Sequence, residues 1–237
     1  MRPEYRFDFC IASFCVLEQQ LKSCMEYIPF IETNKQVLSP KFVPVIFEAC
    51  SLVDSIFTEM AGDATERYNL KRHNQKHEPY LLLAEKTTLF LISPMQVLQP
   101  YREWSTTQPE WWAAYNALKH DRLDNYEVAT YTNAVLALCA LHQVMASFKE
   151  FIGGFLRAGW IATESFDVLT DLGSAAHLGG LHPGPPSVVI QSELFASPTR
   201  ENFIGYHTDD PRFFEVDYDA RGLSHRIRDL LFAHDDW

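Results

Sequence analysis

Residues 126–148 read YEVATYTNAVLALCALHQVMASF, and this stretch decides the fold. Its large apolar side chains recur at spacings of three and four, at Val128, Tyr131, Val135, Leu138, Leu141, Met145 and Phe148. That spacing follows the turn of an α-helix and gathers the apolar side chains on one face. The most apolar portion, residues 134–145, is too short to cross a hydrocarbon layer of roughly 30 Å. We therefore expect a long buried helix and no membrane span.

Four earlier segments show signals of helix formation and complete the fold prediction. Proline after the first segment and glycine after the second give natural ends, and Pro79 and Pro109 are suited to first helical positions. The polar run before Pro79 is expected to be a solvated loop. We predict helices at about 7–25, 42–62, 79–90, 109–120 and 126–148. The predicted fold class is mainly α, a bundle of about five helices with a C-terminal α/β extension.

The composition changes near residue 150 and predicts a two-part organisation. All eight lysines lie at or before Lys149, whereas nine of the ten glycines lie at or after Gly153. We assign the helical bundle to residues 1–150 and the extension to residues 151–237. Within the extension we expect a loop at 179–186, strands at 187–195 and about 213–216, and a terminal helix at 222–232.

Charge and cysteine content exclude several classes of function. A net charge of -11 argues against a broad basic face for nucleic acid, although it leaves room for a small phosphate site. Five cysteines without CxxC spacing indicate reduced, buried thiols rather than a zinc cluster or a disulfide framework. Residues 1–8 lack the apolar run of an export signal, so we expect a cytoplasmic protein.

Histidines are the next candidates for chemistry. His73 and His77 have the spacing of a two-histidine metal site, but they lie in the charged run KRHNQKH, which is typical of a solvated loop or a local basic surface. No motif for a nucleotide cofactor or a serine hydrolase occurs. We predict neither a metal nor a cofactor.

The main candidate site is residues 115–122, which read YNALKHDR at the end of the fourth predicted helix. Helical spacing brings Asn116, Lys119 or His120, and Arg122 near one helix end. An imidazole can move a proton near neutral pH, and a guanidinium can hold a phosphate with two hydrogen bonds. These residue types favour acid/base chemistry on a phosphodiester. The alternative is a polar last turn, where cations suit the helix dipole.

The motif and the helix order resemble the HEPN family, whose members are helical bundles of prokaryotic defence, toxin and RNA-processing systems. Asn116, Leu118 and His120 stand in the frame of the family motif Arg-Asn-x-Leu-Val-His-x-Tyr, and the resemblance covers residues 7–148. Two positions depart from it: Tyr115 stands where the catalytic arginine is expected, and Arg122 stands where the tyrosine is expected.

The resemblance implies a metal-independent endoribonuclease of a toxin–antitoxin or phage-defence system. Carried over residue by residue, the family's roles fall on His120, which would transfer a proton during attack by a ribose 2′-hydroxyl, and on Asn116. We further predict that Arg122 supports them and that Lys119 and Tyr115 bind substrate. The implied partners are a second copy of the chain, an RNA substrate and an operon-encoded protein. Trp111 and Trp112 are expected either as anchors of the dimer interface or as core.

A second function class stays open, a catalytically silent helical module that dimerises or acts as a scaffold. In that case the polar motif closes a buried hydrogen-bond network. Tyr115 in the arginine position favours this alternative, whereas His120 and Arg122 favour the enzyme.

Overall fold

The computed structural model describes residues 4–62, 69–160 and 188–199, and these form a mainly helical fold with a small antiparallel sheet. Within those ranges no helix has the length and apolar character needed to cross a membrane. The helices are α1 Glu4–Met25, α2 Phe42–Ala61, α3 Leu70–Leu81, α4 Glu110–His120, α5 Tyr131–Met145 and α6 Ile152–Ala158. The strands are β1 Thr88–Phe90, β2 Gln96–Leu98, β3 Val188–Gln191 and β4 Phe195–Thr199.

Helix α5 lies at the centre of the bundle, as its apolar pattern predicts. Almost every side chain from Asn133 to Met145 is buried, and the helix packs mainly on α2 and also on α1 and α4. The predicted start at Tyr126 is wrong. Residues Tyr126–Val128 form a separate 3-10 turn, and α5 begins only after Thr130, whose side chain accepts a hydrogen bond from the backbone amide of Asn133.

Helix α3 corrects the prediction for residues 69–90. The polar run is itself the helix, with Asn69 as its cap, and it ends at Leu81, so no helix continues to Phe90. Pro79 lies inside the last turn instead of opening a helix. The spacing of apolar residues does not predict α3, because the inward positions of this helix include the buried histidines His73 and His77.

The four strands form one sheet in the order β2-β1-β4-β3, with every neighbouring pair antiparallel. The predicted single strand 187–195 is wrong, because β3 and β4 form a hairpin that turns at Ser192–Leu194. Its β4 pairs with β1 of the helical part. The expected loop at 179–186, strand at 213–216 and helix at 222–232 lie outside the described residues.

A buried carboxylate of α1 holds the turn of this hairpin. The Oε1 atom of Glu18 accepts hydrogen bonds from Ser192 Oγ at 2.6 Å and from the Leu194 backbone amide at 2.8 Å. These bonds satisfy polar groups that would otherwise be costly to bury. Further along β4, Ser197 bonds both Thr88 and the buried His142 at 2.9 Å. Helices α1 and α5 are thereby tied to the sheet.

Aromatic side chains fill the space between α2, α4 and the segment before α4. Trp111 and Trp112 are both buried, and the indole nitrogen of Trp111 donates to the Pro100 carbonyl at 2.7 Å. The expectation that they anchor a dimer interface is therefore wrong, since both rings are already packed inside the protomer. All five cysteines are free, and three of them are buried.

Candidate functional site

The end of α4 is fixed by its own loop. The carboxylate of Asp121 accepts the backbone amides of Leu123 and Asp124, both at 3.1 Å. The side-chain amide of Asn125 donates to the carbonyls of Asp121 at 2.7 Å and Ala117 at 3.4 Å. These bonds satisfy carbonyls that a helix end leaves open. The loop therefore folds back on α4, and Asp121 is engaged by backbone donors.

Two cations border one aromatic pair at this end. The Tyr115 ring is buried and meets the Phe47 ring of α2 edge-on, with 5.3 Å between centroids. Lys119 Nζ lies 3.4 Å from the Tyr115 hydroxyl and 5.3 Å from its ring centroid. The guanidinium of Arg122 lies 5.2 Å from the Phe47 centroid. Cations gain electrostatic attraction from aromatic faces at such distances, so both are positioned on this pair.

Asn116 and His120 form a second row beside Tyr115 and Lys119. Four positions separate the members of each row, so one helical turn places them on the same side of α4. His120 is exposed and Asn116 is half-buried. Within the described ranges neither side chain has a hydrogen-bond partner. The alternative in which His120 closes a buried hydrogen-bond network is therefore not supported, because the imidazole is exposed to solvent.

The positive charge of the site is not neutralised by neighbours. Among residues 4–62, 69–160 and 188–199, neither Lys119 nor Arg122 forms an ion pair, although the chain carries a net charge of -11. The nearest acid in sequence, Asp121, is turned to backbone amides. We name Tyr115, Lys119, Arg122 and Phe47 the cation–aromatic site. It is suited to an anion with oxygen acceptors, such as a phosphate group.

The structure brings together only part of the predicted set. Lys119 and Arg122 meet through Tyr115 and Phe47, whereas His120 and Asn116 stand in the adjacent row without contacting them. Phe47 is not among the predicted site residues. This residue lies 68 positions before Tyr115, and no local spacing connects α2 to α4.

Other buried titratable groups serve the fold. His73 bonds Asp54 of α2 at 2.8 Å, and His77 bonds the Phe57 carbonyl at 2.9 Å. Burial lowers the pKa of His77 to about 4, and it raises the pKa of the Cys10, Cys50 and Cys139 thiols, which keeps those sulfurs protonated. Within the described ranges no cluster of three or more candidate ligands could hold a metal ion.

Comparison with known proteins adds no relative to this picture. No family model, no curated protein and no solved structure is significantly similar to the chain.

Proposed function

We propose that this chain is a HEPN-like, metal-independent endoribonuclease of a prokaryotic defence or toxin system, with its site at the end of α4. The observation that carries the proposal is the cation–aromatic site beside an exposed histidine. Lys119 and Arg122 lack carboxylate partners among the described residues, and His120 immediately follows Lys119. A phosphodiester needs both kinds of group, cations for its charge and an imidazole for proton transfer.

Each residue has a definite role in this proposal. Arg122 and Lys119 bind the non-bridging oxygens of the phosphate, and the Tyr115 hydroxyl adds a hydrogen bond. His120 moves the proton, and Asn116, one turn earlier on the same side of α4, orients the ribose. Arg122 reaches the Phe47 ring next to Tyr115, so it supplies the guanidinium that the family motif carries at the Tyr115 position.

The reaction is a transfer within the RNA strand. His120 takes the proton of a ribose 2′-hydroxyl, the oxygen attacks the adjacent phosphorus, and the bond to the 5′-oxygen breaks. The 5′-oxygen leaves with a proton from the partner subunit's His120, which gives a 2′,3′-cyclic phosphate and a 5′-hydroxyl end. In this proposal the reaction requires neither an oxidant nor a metal.

A homodimer completes the site in this proposal. Two exposed apolar side chains, Leu123 and Tyr126, lie in the loop that folds back on α4. Their exposed fractions of 86% and 64% mark the loop as a surface that a second copy can cover. A single protomer presents one imidazole, and pairing through this loop brings two motifs to one cleft.

A second function, a catalytically silent dimerisation or scaffold module, is favoured by Tyr115. This side chain is buried against Phe47 and Trp112, so it packs as a core residue in the place of the family's arginine. The silent module predicts the same dimer without cleavage.

The experiment that separates the two functions compares full-length wild type with His120→Ala and Arg122→Ala. RNA cleavage is followed in the presence of EDTA, product ends are identified by mass, and thermal unfolding is measured on each sample. The nuclease predicts cyclic phosphate ends from wild type, loss of cleavage in both variants, and unfolding within about 1 kcal/mol of wild type, because both side chains are exposed. Cleavage that persists in His120→Ala at the wild-type rate contradicts the assignment.

A further inference from the structure

We propose that the outward side of α3 binds the sugar–phosphate backbone of single-stranded RNA whose scissile phosphate sits at the cation–aromatic site. This inference rests on the proposed function, because that function supplies the ribose–phosphate chain. It adds a second contact region, the basic face, which we define as Lys71, Arg72 and Lys76.

The basic face follows from how α3 packs. Its buried side chains are Leu70, His73, His77 and Leu81, which turn toward α2 and the core. Lys71, Arg72 and Lys76 are exposed on the opposite side. Lys71 and Lys76 have no ion-pair partner in the part of the chain that the structure describes.

The only carboxylate of α3 is withdrawn from that surface. Glu78 is half-buried and accepts hydrogen bonds from the Trp104 indole at 2.8 Å and from the backbone amides of Leu83 at 2.9 Å and Ala84 at 3.1 Å. Lys71, Arg72 and Lys76 are therefore the only charged side chains on the exposed side of α3, on a protein whose net charge is -11.

The positions of the charged side chains along α3 are unfavourable for helix stability. Its first turn contains no acid and its last turn contains no base, whereas Lys71 and Arg72 lie at the amino end. Cations there face the positive end of the helix dipole, which is unfavourable. Helix stability thus gives no reason for this arrangement, but an anionic ligand does.

Helix α2 contacts both α3 and the cation–aromatic site. Phe47 contacts Arg122, and Asp54 bonds His73 of α3 at 2.8 Å. Phe47 and Asp54 are seven positions apart, which is two turns of α2, so they lie on one side and about 10 Å apart along the axis. The basic face lies across α3 from this contact, so a strand that reaches both regions passes over α3, which is about 10 Å wide.

Single-stranded RNA fits these features better than an acidic protein does. A flexible backbone carries one negative charge per nucleotide and can follow separated cations, and its unpaired bases can stack on exposed aromatic rings. Tyr80, four positions after Lys76 on α3, is 52% exposed and offers such a ring. An acidic polypeptide gains only the charge contacts.

The test uses the full chain and a fluorescent 12-nucleotide RNA made non-cleavable by 2′-O-methylation. Binding anisotropy is measured at several salt concentrations for wild type and for Lys71→Gln/Lys76→Gln. The control variant, Lys22→Gln/Lys35→Gln, removes the same charge from lysines that form ion pairs with Glu193 and Glu32. Loss of two phosphate contacts should flatten the salt dependence of log K by about 1.4 and weaken binding roughly tenfold at low salt.

Three outcomes decide the inference. Weaker binding by the α3 variant but not by the control, with cleavage of an unmodified dinucleotide unchanged, supports it. Binding equal to that of the control overturns it, and so does polyglutamate that competes as well as RNA of equal charge. Failure of the proposed function is seen separately: wild type then does not cleave the unmodified dinucleotide, while the dependence of RNA binding on Lys71 and Lys76 is still measured.

Discussion

The guanidinium of Arg122 lies 5.2 Å from the centre of the Phe47 ring, which joins a loop residue after α4 to the first half of α2. Phe47 also meets the Tyr115 ring edge-on, so one half-buried phenylalanine organises both sides of the cation–aromatic site. Arg122 is exposed and has no ion-pair partner in the described ranges. The aromatic ring is thus the contact that sets its position.

Replacing Phe47 by leucine tests this dependence. Leucine keeps most of the apolar volume but removes the ring face, so we expect a stability loss of about 1 kcal/mol and several-fold weaker binding of a 2′-O-methyl RNA. Phe9→Leu is the matched control, because Phe9 is an exposed phenylalanine on α1. Anisotropy titration and urea unfolding give the two numbers. Unchanged RNA affinity in Phe47→Leu means that the ring does not position Arg122.

The proposed dimer surface makes a prediction of its own. Leu123→Asp places a charge on the most exposed large apolar side chain of the described residues, in the loop after α4. We expect it to convert a dimer to a monomer in sedimentation at micromolar concentration, because an unpaired charge in an interface is costly. Phe9→Asp puts the same charge on another exposed apolar position and should leave the dimer intact. A monomeric wild type, or a dimer that tolerates Leu123→Asp, rules out this interface.

The buried carboxylate of Glu18 predicts a dependence of stability on pH. Burial raises its pKa above the ordinary 4.5, so the folded protein holds the proton more tightly than the unfolded chain does. The stabilisation is fully present below about pH 4.5 and is lost as pH rises through the folded pKa. Glu18→Gln imitates the protonated acid, so it should be more stable than wild type at pH 8, with a smaller difference at pH 5.

Urea unfolding of both proteins at the two pH values measures this difference. Glu26→Gln, at an exposed position just after α1, is the control and should show no such trend. A stability difference between Glu18→Gln and wild type that is independent of pH would show that Glu18 stays ionised in the fold.

The buried His142 predicts a dependence of stability on pH that is opposite to that of Glu18. Burial among Phe14, Trp160 and Phe195 lowers its pKa from 6.5 to about 3, so its stabilising contribution is present above pH 6.5 and is lost as pH falls. Between pH 6.5 and pH 4.5 this residue should cost the fold about 2 to 3 kcal/mol. His142→Gln should remove that part of the slope, whereas His120→Gln should keep it. Parallel slopes for both variants would contradict a neutral buried His142.

The sequence predicts the central helices well for a physical reason. In α1, α2 and α5 burial falls mostly on apolar side chains, with Glu18 and His142 among the exceptions, so the apolar spacing in the sequence follows the core. In α3 two of the four buried positions are histidines held by Asp54 and the Phe57 carbonyl. Because those partners lie on α2, the local sequence pattern of α3 does not indicate them.

Local sequence patterns also do not predict the sheet or the contact between α2 and α4 at the candidate site. Strands β1 and β2 have three residues each, too few for an alternating pattern, and β4 pairs with β1 over more than a hundred positions. At the end of α4 the sequence indicates the polar residue types and the helix that carries them. It does not indicate that Phe47 orders Arg122, because that contact depends on how α2 and α4 pack.

The pairing of β4 with β1 also constrains how the chain is made. On the ribosome, β1 and β2 emerge about a hundred residues before β4, so the inner edge of β1 has its backbone donors and acceptors open while α4 and α5 are synthesised. An open edge is a template for pairing with other chains. The late hairpin closes that edge and covers the ring of Phe90 with Phe195. Emergence of the β3–β4 hairpin, rather than formation of the helices, is therefore the step that closes this edge.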